Sequence, residues 1–187
     1  QRYDIYFLAE MMDYEGVVQG NEEVRKKLQF AVYAEKPIDG HAPNLTGTEL
    51  RKYAAAGITT DHECMTTEEA LEKIELGMNI LIREGSAAKN FNELIPLIEK
   101  FPEKIMFCSD DKHPDDLIRN GHINQLVKRA ISAGYDILDV LRAASYNPVK
   151  HYRLNVGLLQ SGDDADFVII NNFSDLNILK MYIKGEL

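Results

Sequence analysis

The chain has 187 residues, of which 45% are hydrophobic and 27% are charged, a balance typical of one soluble globular domain with a sizeable core. Asp and Glu outnumber Lys and Arg by 30 to 21, so the net charge is -9, which disfavours binding to nucleic acid or to an anionic membrane surface. No apolar run reaches about 18 residues, no signal-peptide pattern opens the chain, and Cys64 and Cys108 form no C-x-x-C motif, so we expect a cytoplasmic protein with reduced thiols and no membrane span.

Short apolar runs alternate with helical patterns through most of the chain. Strands are predicted at residues 5–8, 37–40, 58–61, 78–82 and 105–108, each followed by polar residues. Helices are predicted at 22–35, 46–57, 66–77 and 90–102. Two or three more helices follow Asp111, one of them beginning at Asp136, and two further strands are predicted at 166–170 and 181–183.

Two of the predicted helices begin with a capping box, in which a Thr and a Glu three residues later each bond the other's backbone N–H group. The boxes run from Thr46 to Glu49 and from Thr66 to Glu69. The second helix also carries a row of carboxylates, which we interpret as a solvated acidic face: Glu68, Glu69, Glu72 and Glu75.

The alternation of strands and amphipathic helices predicts an α/β fold in which helices cover a parallel sheet. Five strand–helix units are visible, whereas eight units and about 250 residues close a (β/α)8 barrel. We therefore predict a partial (β/α)8 barrel over residues 1–154 and a segment of a small β-domain over residues 155–187. An open α/β sheet of five strands is the competing architecture.

Five parallel strands leave two unpaired sheet edges and an uncovered inner face. The chain also begins with Gln1 rather than Met, inside an apparent strand. We therefore expect the carboxyl-terminal part of a larger barrel, or a chain that pairs with a partner, such as a second copy in a homo-oligomer.

Acidic and imidazole side chains follow four of the strands: Glu10, His41, His62 and Asp110. The carboxyl ends of barrel strands meet at one rim, so we expect these four side chains to lie together. Carboxylate and imidazole groups suit hard or borderline divalent metals. Either histidine taken alone is more often an ordinary loop residue, but the repetition of such residues at successive strand ends favours a metal site.

Other polar residues at the rim are candidates for binding a substrate. Asp110 and Asp111 are adjacent, so along an extended segment their side chains point in opposite directions and only one faces the metal. Arg83, Glu84 and Ser86 form a dense polar group after the fourth strand. We predict substrate recognition for this group, with a salt-bridged loop as the alternative.

Five segments in order resemble the bacterial adenine deaminases of the amidohydrolase superfamily: L-A-E-M-M, D-G-H-A-P, G-I-T-T-D-H-E, I-R-E-G-S-A-A-K-N and S-D-D-K-H-P-D-D-L-I-R-N-G-H. The resemblance implies a metal-dependent hydrolase barrel, of which this chain supplies about strands 4–8. It implies metal ligation by Glu10, His41, His62 and Asp110, in a binuclear manganese, iron or zinc site of the intact enzyme.

The resemblance also implies hydrolytic deamination of adenine to hypoxanthine and ammonia. Asp110 is expected to move the proton of the attacking water to the leaving amino group, and Glu63 to protonate the purine ring. Glu84 and Asp111 are further candidates for holding the purine.

The chain departs from the family pattern, because it contains no H-x-H pair. We also expect the first three strands of the barrel, and the segment that the family carries beyond its barrel, to be absent from these 187 residues. A complete binuclear site therefore needs ligands from elsewhere, and we expect the chain alone to be inactive. Two alternatives stay open: another amidohydrolase, such as a cyclic amide hydrolase or an amino-sugar deacetylase, and a non-catalytic scaffold fragment.

Overall fold

The computed structural model of the protein describes residues 5–187. Its first five strands are β1 Leu8–Met11, β2 Ile38–Gly40, β3 Thr60–Asp61, β4 Asn79–Arg83 and β5 Ile105–Cys108. All five lie at or next to predicted strands. The first prediction, residues 5–8, is wrong in its bounds, because β1 begins at Leu8 and contains Glu10. Gln1, which we placed in that strand, lies outside the described residues.

The helices follow the strands in the predicted alternation. Their bounds are α1 Tyr14–Gln19, α2 Glu22–Tyr33, α3 Gly47–Ala55, α4 Thr67–Glu75, α5 Phe91–Leu94, α6 Pro114–Asn120, α7 Ile123–Ser132, α8 Ile137–Leu141 and α9 Asn147–Tyr152. A 3-10 turn, Ile95–Glu99, continues α5, so the helix predicted at 90–102 is only partly α-helical. Pro96 lies in that turn and cannot donate the backbone hydrogen bond that an α-helix needs.

The five strands are parallel neighbours in chain order. β1 pairs with β2, and β3, β4 and β5 form a second ladder, with Ile80 opposite Ile105 and Arg83 opposite Cys108. Between β2 and β3 the contact is looser: Thr59 N donates to Ile38 O at 2.9 Å. Sequential order is that of a (β/α) barrel, because an open doubly wound sheet reverses its order at a switch point. The predicted partial barrel is therefore confirmed.

Side chains alternate between the two faces of these strands. The outer face packs against the helices in two apolar cores. One core joins β4 and β5 to α4, α5, α7 and α8, and it includes Ile80, Ile82 and Phe107. The other joins β1 and β2 to α1, α2 and α3. The inner face carries the polar side chains that concern function.

The last helix, α9, contacts one end of the strands. A π-helical turn, Arg142–Tyr146, joins α8 to α9, and the Asp136 carboxylate caps the start of α8, as predicted. From α9, the Tyr152 hydroxyl donates to Asp39 Oδ1 at 3.0 Å, and the His151 ring lies 3.0 Å from Asn79 Nδ2. Helix α9 therefore lies at the amino-terminal end of the sheet, opposite the rim. Among residues 5–187, no helix has both the length and the apolar character that a membrane crossing requires.

The last segment forms an antiparallel hairpin of β6 Phe167–Ile170 and β7 Ile178–Tyr182. Both strands match the predicted pattern to within a few residues. Leu176, in the turn between them, is buried in the core of the barrel helices. The division of the chain at residue 155 stays a prediction.

The two predicted capping boxes form only in part. Thr66 accepts a hydrogen bond from Glu69 N at 3.2 Å, whereas Thr46 makes no side-chain cap bond. Glu69 does not return to the Thr66 backbone, and it is 5% exposed. Our interpretation of Glu69 as part of a solvated acidic face is wrong, because its carboxylate bonds the buried Lys73.

His151 makes the stability of the fold sensitive to acid. Burial, with smaller contributions from Lys104 and Arg153, lowers the pKa of His151 to about 4 from an ordinary value of 6.5. Between these values the unfolded chain binds more protons than the folded one, so stability is lost as pH falls from about 6.5 to 4. After allowance for solvent screening, we expect a loss on the order of 1–2 kcal/mol.

Urea unfolding between pH 4 and 7 tests this expectation. A His151→Gln variant should lose part of the pH dependence, whereas His113→Gln, at an exposed position, should keep it. An unchanged pH slope in His151→Gln contradicts the assignment.

Candidate metal centre

The strand ends bring the four predicted ligands to one rim. Glu10 lies in β1, His41 and His62 directly follow β2 and β3, and Asp110 lies two residues beyond β5. Glu10, His41 and His62 alternate with outward-facing residues, so their side chains are directed to the inner face.

The side-chain atoms of this group lie close together. Glu10 Oε1 is 2.7 Å from His41 Nδ1 and 3.4 Å from His62 Nε2. Asp110 Oδ1 is 3.8 Å from His62 Nε2. The two imidazole rings meet edge to face, with their centroids 5.4 Å apart. The set predicted from strand ends is therefore a spatial cluster.

The two histidine nitrogens show how well the cluster fits a metal ion. His41 Nδ1 and His62 Nε2 are buried, and neither has a hydrogen-bond partner among residues 5–187. Glu10 Oε1 approaches both, but the angles are not those of hydrogen bonds. A buried polar atom without a partner is costly. Two such nitrogens converging with a carboxylate oxygen have the donor set and spacing of a divalent-metal site.

Glu63 and Arg83 form the second part of the site. Glu63 Oε1 is 3.3 Å from both His41 Nδ1 and His62 Nε2. Arg83 NH1 donates to Glu63 Oε1 and to Asp110 Oδ2, each at 2.6 Å, and its NH2 donates to Glu63 Oε2 at 3.1 Å. The Arg83 side chain is only 8% exposed. Its guanidinium therefore pairs with two carboxylates, offsets one of their two charges and fixes their orientation.

Asp110 and Asp111 point to opposite sides, as predicted. Asp110 has φ of 44°, a left-handed conformation that is uncommon outside glycine and costs on the order of 1 kcal/mol. This conformation turns the Asp110 carboxylate toward Arg83 and His62. The Asp111 carboxylate instead accepts a hydrogen bond from Ala87 N at 3.0 Å. Its predicted role in holding a purine stays a prediction.

The predicted substrate-binding group of Arg83, Glu84 and Ser86 is divided between two places. Arg83 faces the metal ligands, whereas Glu84 Oε2 pairs with Arg129 NH1 at 2.9 Å. Ser86 bonds the Asp116 carboxylate and accepts from His113 N at 2.9 Å. Glu84 borders a cavity of about 640 Å³ against α6 and α7. The substrate roles of Glu84 and Ser86 stay predictions.

Several residues that support the site were not identified from the sequence. We assigned Asn90 to a helix start, yet it makes no cap bond and its amide holds the rim instead. Its Nδ2 donates to His62 O at 3.2 Å and to Cys64 O at 3.1 Å, and its Oδ1 accepts from Arg83 N at 2.8 Å. The sequence offers one signal that Asn90 holds the rim, which is the presence of a side-chain amide a few residues after the end of β4.

Below the rim, Asp39 joins the inner face to α9. It accepts hydrogen bonds from Thr60 Oγ1 at 2.8 Å and from the Tyr152 hydroxyl. Burial raises the pKa of Asp39, and these two hydrogen bonds partly oppose the rise. Burial also raises the pKa of Cys108 to about 12, so this thiol stays protonated and unreactive near the site.

Comparison with known proteins supports the same family. The model of the amidohydrolase family matches residues 2–187. The adenine deaminase of Salinibacter ruber is 55% identical over 186 residues, which are 100% of this chain and 34% of that protein. The adenine deaminase of Methanosarcina mazei is 54% identical over 183 residues, 98% of this chain and 33% of that protein. The chain thus spans about a third of the length of these relatives.

Solved structures share the fold at low sequence identity. The β-aspartyl dipeptidase of Fervidobacterium islandicum AW-1 aligns with a TM-score of 0.63 at 16% identity, over 95% of this chain and 55% of that one. The N-acetyl-D-glucosamine-6-phosphate deacetylase of Mycobacterium smegmatis aligns with a TM-score of 0.66 at 17% identity, over 88% of this chain and 51% of that one. The resemblance to adenine deaminases inferred from five motifs is confirmed along the whole chain, and the chain belongs to the amidohydrolase family.

Proposed function

We propose that this chain forms part of the active site of a metal-dependent enzyme that hydrolyses adenine to hypoxanthine and ammonia. The observation that carries the proposal is the convergence of His41 Nδ1 and His62 Nε2, two buried nitrogens without hydrogen-bond partners among residues 5–187, on Glu10 Oε1. Identity of 50–55% to adenine deaminases over nearly the whole chain supports adenine as the substrate.

Glu10, His41, His62 and Asp110 are the proposed metal ligands. Manganese, iron and zinc all accept a mixed set of carboxylate and imidazole. When bound, such a metal supplies a water nucleophile whose pKa is lowered toward neutrality. We propose a binuclear centre completed by ligands from outside these 187 residues, since the chain holds no H-x-H pair.

Asp110 is the proposed proton carrier. Its Oδ2 is held by Arg83 NH1, while Oδ1 faces His62 on the ligand side. Water adds to C6 of adenine, and Asp110 accepts the proton that the water releases. Asp110 then passes this proton to the amino group, which leaves as ammonia. The C6 hydroxyl gives up its own proton as the carbonyl of hypoxanthine forms, and this proton replaces the one that Glu63 donates to the ring.

Glu63 is the proposed partner of the purine ring. Protonation of ring nitrogen N1 lets the ring accept electrons as water adds to C6. Both Glu63 oxygens bond Arg83, and a carboxylate held by a guanidinium is a poor proton donor. Proton donation therefore requires that bound adenine separates Glu63 from Arg83, and we propose that Arg83 then contacts the substrate.

The test is an assay for ammonia and hypoxanthine with the protein at its full natural length, with added manganese and after chelation. We expect adenine turnover that chelation abolishes and manganese restores. Parallel assays use a cyclic amide and an N-acetylated amino sugar. Turnover of either one without turnover of adenine identifies another amidohydrolase, and no turnover with no bound metal favours a scaffold.

A further inference from the structure

A second cluster of charged side chains lies behind the metal ligands, on the outer face of the sheet. Lys73, from α4, is 0% exposed. Its ammonium group donates to Asp61 Oδ2 at 2.9 Å, to Glu69 Oε1 at 2.7 Å and to Ala42 O at 2.7 Å. All three protons of the ammonium are therefore used. We call Asp61, Glu69 and Lys73 the Lys73 cluster.

The Lys73 cluster bonds the backbone on both sides of the metal site. Asp61 Oδ1 accepts from Ala42 N at 2.8 Å, next to His41. Asp61 Oδ2 accepts from Glu63 N at 3.1 Å, next to His62. One carboxylate thus ties together the two loops that carry the candidate histidine ligands.

Glu69, one helical turn before Lys73 on α4, also bonds the backbone of both loops. Its Oε1 accepts from Asn44 N at 2.9 Å, and its Oε2 accepts from Met65 N at 3.1 Å. The loops 41–44 and 62–65 are therefore each held twice, and Lys73 joins the two carboxylates that hold them. No member of the cluster is among the candidate metal ligands, and its contacts with the site are hydrogen bonds to the backbone of these two loops.

The electrostatics of the cluster depend on the ammonium group. Asp61 is 0% exposed and Glu69 is 5% exposed, and the Lys73 ammonium bonds both carboxylates. Asp61, Cys64 and Glu69 have the spacing of a metal-binding group. The Lys73 ammonium bonds both carboxylates of this group and supplies the positive charge that a metal ion would otherwise bring. Without it, two buried carboxylates lose their countercharge, which proteins tolerate poorly.

We propose that Lys73 is a positioning residue, which sets the separation of His41 and His62 by tying loops 41–44 and 62–65 together through Asp61 and Glu69. This inference rests on the proposed metal-dependent function. Removal of a residue that hydrogen-bonds a metal ligand typically weakens metal binding by about 10- to 100-fold. Lys73 acts less directly, because it bonds the carboxylates that hold the ligand loops.

The test compares Lys73→Met with Ile98→Ala in the full-length protein. Met keeps the unbranched length of Lys and removes the charge. Ile98 is 1% exposed in the 3-10 turn after α5, so Ile98→Ala lowers stability without removing any hydrogen bond to either loop. We expect both variants to lower Tm by roughly 10 °C.

We would measure the affinity for Co²⁺ and the visible absorption spectrum of the bound ion. Both measurements are made at a temperature at which both variants are folded. Lys73→Met should bind Co²⁺ about 10- to 100-fold more weakly, with an altered spectrum, and Ile98→Ala should match the wild type. Equal affinity and spectrum in the two variants overturn the proposal, because Lys73 then acts on stability alone.

A milder variant keeps the proposal testable if Lys73→Met does not fold. Glu69→Gln retains the Lys73–Asp61 pair and weakens the hydrogen bonds of Glu69 with Lys73, Asn44 and Met65, so Co²⁺ affinity should fall by several-fold. Unchanged affinity overturns the proposal. A wild-type protein that binds Co²⁺ but does not deaminate adenine refutes the proposed activity and leaves this test intact, whereas a wild type that binds no Co²⁺ refutes both.

Discussion

Replacement of Asp110 by Asn should lower adenine turnover by about 10³-fold, within the range that general acid–base catalysis contributes. Asn keeps the shape and can still accept a hydrogen bond from Arg83, but it cannot carry a proton from water to the amino group. We expect kcat to fall much more than KM rises. Steady-state kinetics of the full-length protein, with metal content measured on the same samples, check this.

Asp111→Asn is the matched control, because it makes the same chemical change at the next residue. Asp111 accepts a hydrogen bond from Ala87 N and points away from the ligands, so its variant should keep kcat within about tenfold. Its predicted role in holding the purine concerns KM, which should rise if that role holds. Near-normal turnover in Asp110→Asn with a full metal complement contradicts the proposed proton transfer. A larger loss in Asp111→Asn than in Asp110→Asn reverses the assignment of the two residues.

Replacement of Gly40 by Ala should destabilise the protein by about 3 kcal/mol, the upper end of the cost of over-packing a core. An added Cβ meets the backbone carbonyl oxygen of Thr60, the Ile58 side chain at 2.8 Å and the Tyr53 hydroxyl at 3.0 Å. The backbone oxygen cannot move without separating β2 from β3. His41 is displaced as well, because Tyr53 accepts a hydrogen bond from His41 N at 2.9 Å.

Urea unfolding and metal titration of Gly40→Ala check both effects, with Gly16→Ala as control. At Gly16 the three atoms nearest to the added Cβ all belong to the Asp13 carboxylate. Rotation of this side chain relieves the contact and costs its cap bond to Gly16 N, whereas Ala favours helix α1. We expect the control to stay within about 1 kcal/mol of the wild type. A Gly40→Ala protein as stable as Gly16→Ala shows that the close approach of β2 and β3 is not required.

The clustering of the four candidate ligands could be predicted from sequence, because the position of a strand end on the barrel rim does not depend on how side chains pack. Once strands are recognised, the rule that their carboxyl ends share a rim brings Glu10, His41, His62 and Asp110 together. The small error in the bounds of β1 did not matter, since Glu10 still faces inward.

The Lys73 cluster could not be predicted, because its partners come from different units. Lys73 and Glu69 stand four residues apart on α4 and have the pattern of an exposed helical ion pair. Their burial depends on how α4 packs against the loops after β2 and β3, and on Asp61 facing outward from a strand of only two residues. A local charge pattern does not distinguish a buried pair from a solvated one.

That Arg83 and Glu84 face opposite sides of the sheet follows from strand alternation, and it could have been predicted from the sequence. Neighbouring strand residues face opposite sides, so only one of the two could face His41 and His62. The partners of Glu84 and Ser86, which are Arg129 and Asp116, come from α7 and α6. Those pairings depend on how the helices after β5 fold back, and nothing local in the sequence encodes it.

The most direct test of the candidate metal centre is anomalous diffraction at the manganese edge from crystals of the full-length protein grown with Mn²⁺. We predict an anomalous peak within coordination distance of Glu10 Oε1, His41 Nδ1 and His62 Nε2. Manganese bound in the crystal only at other positions, with these three side chains unligated, would contradict the account.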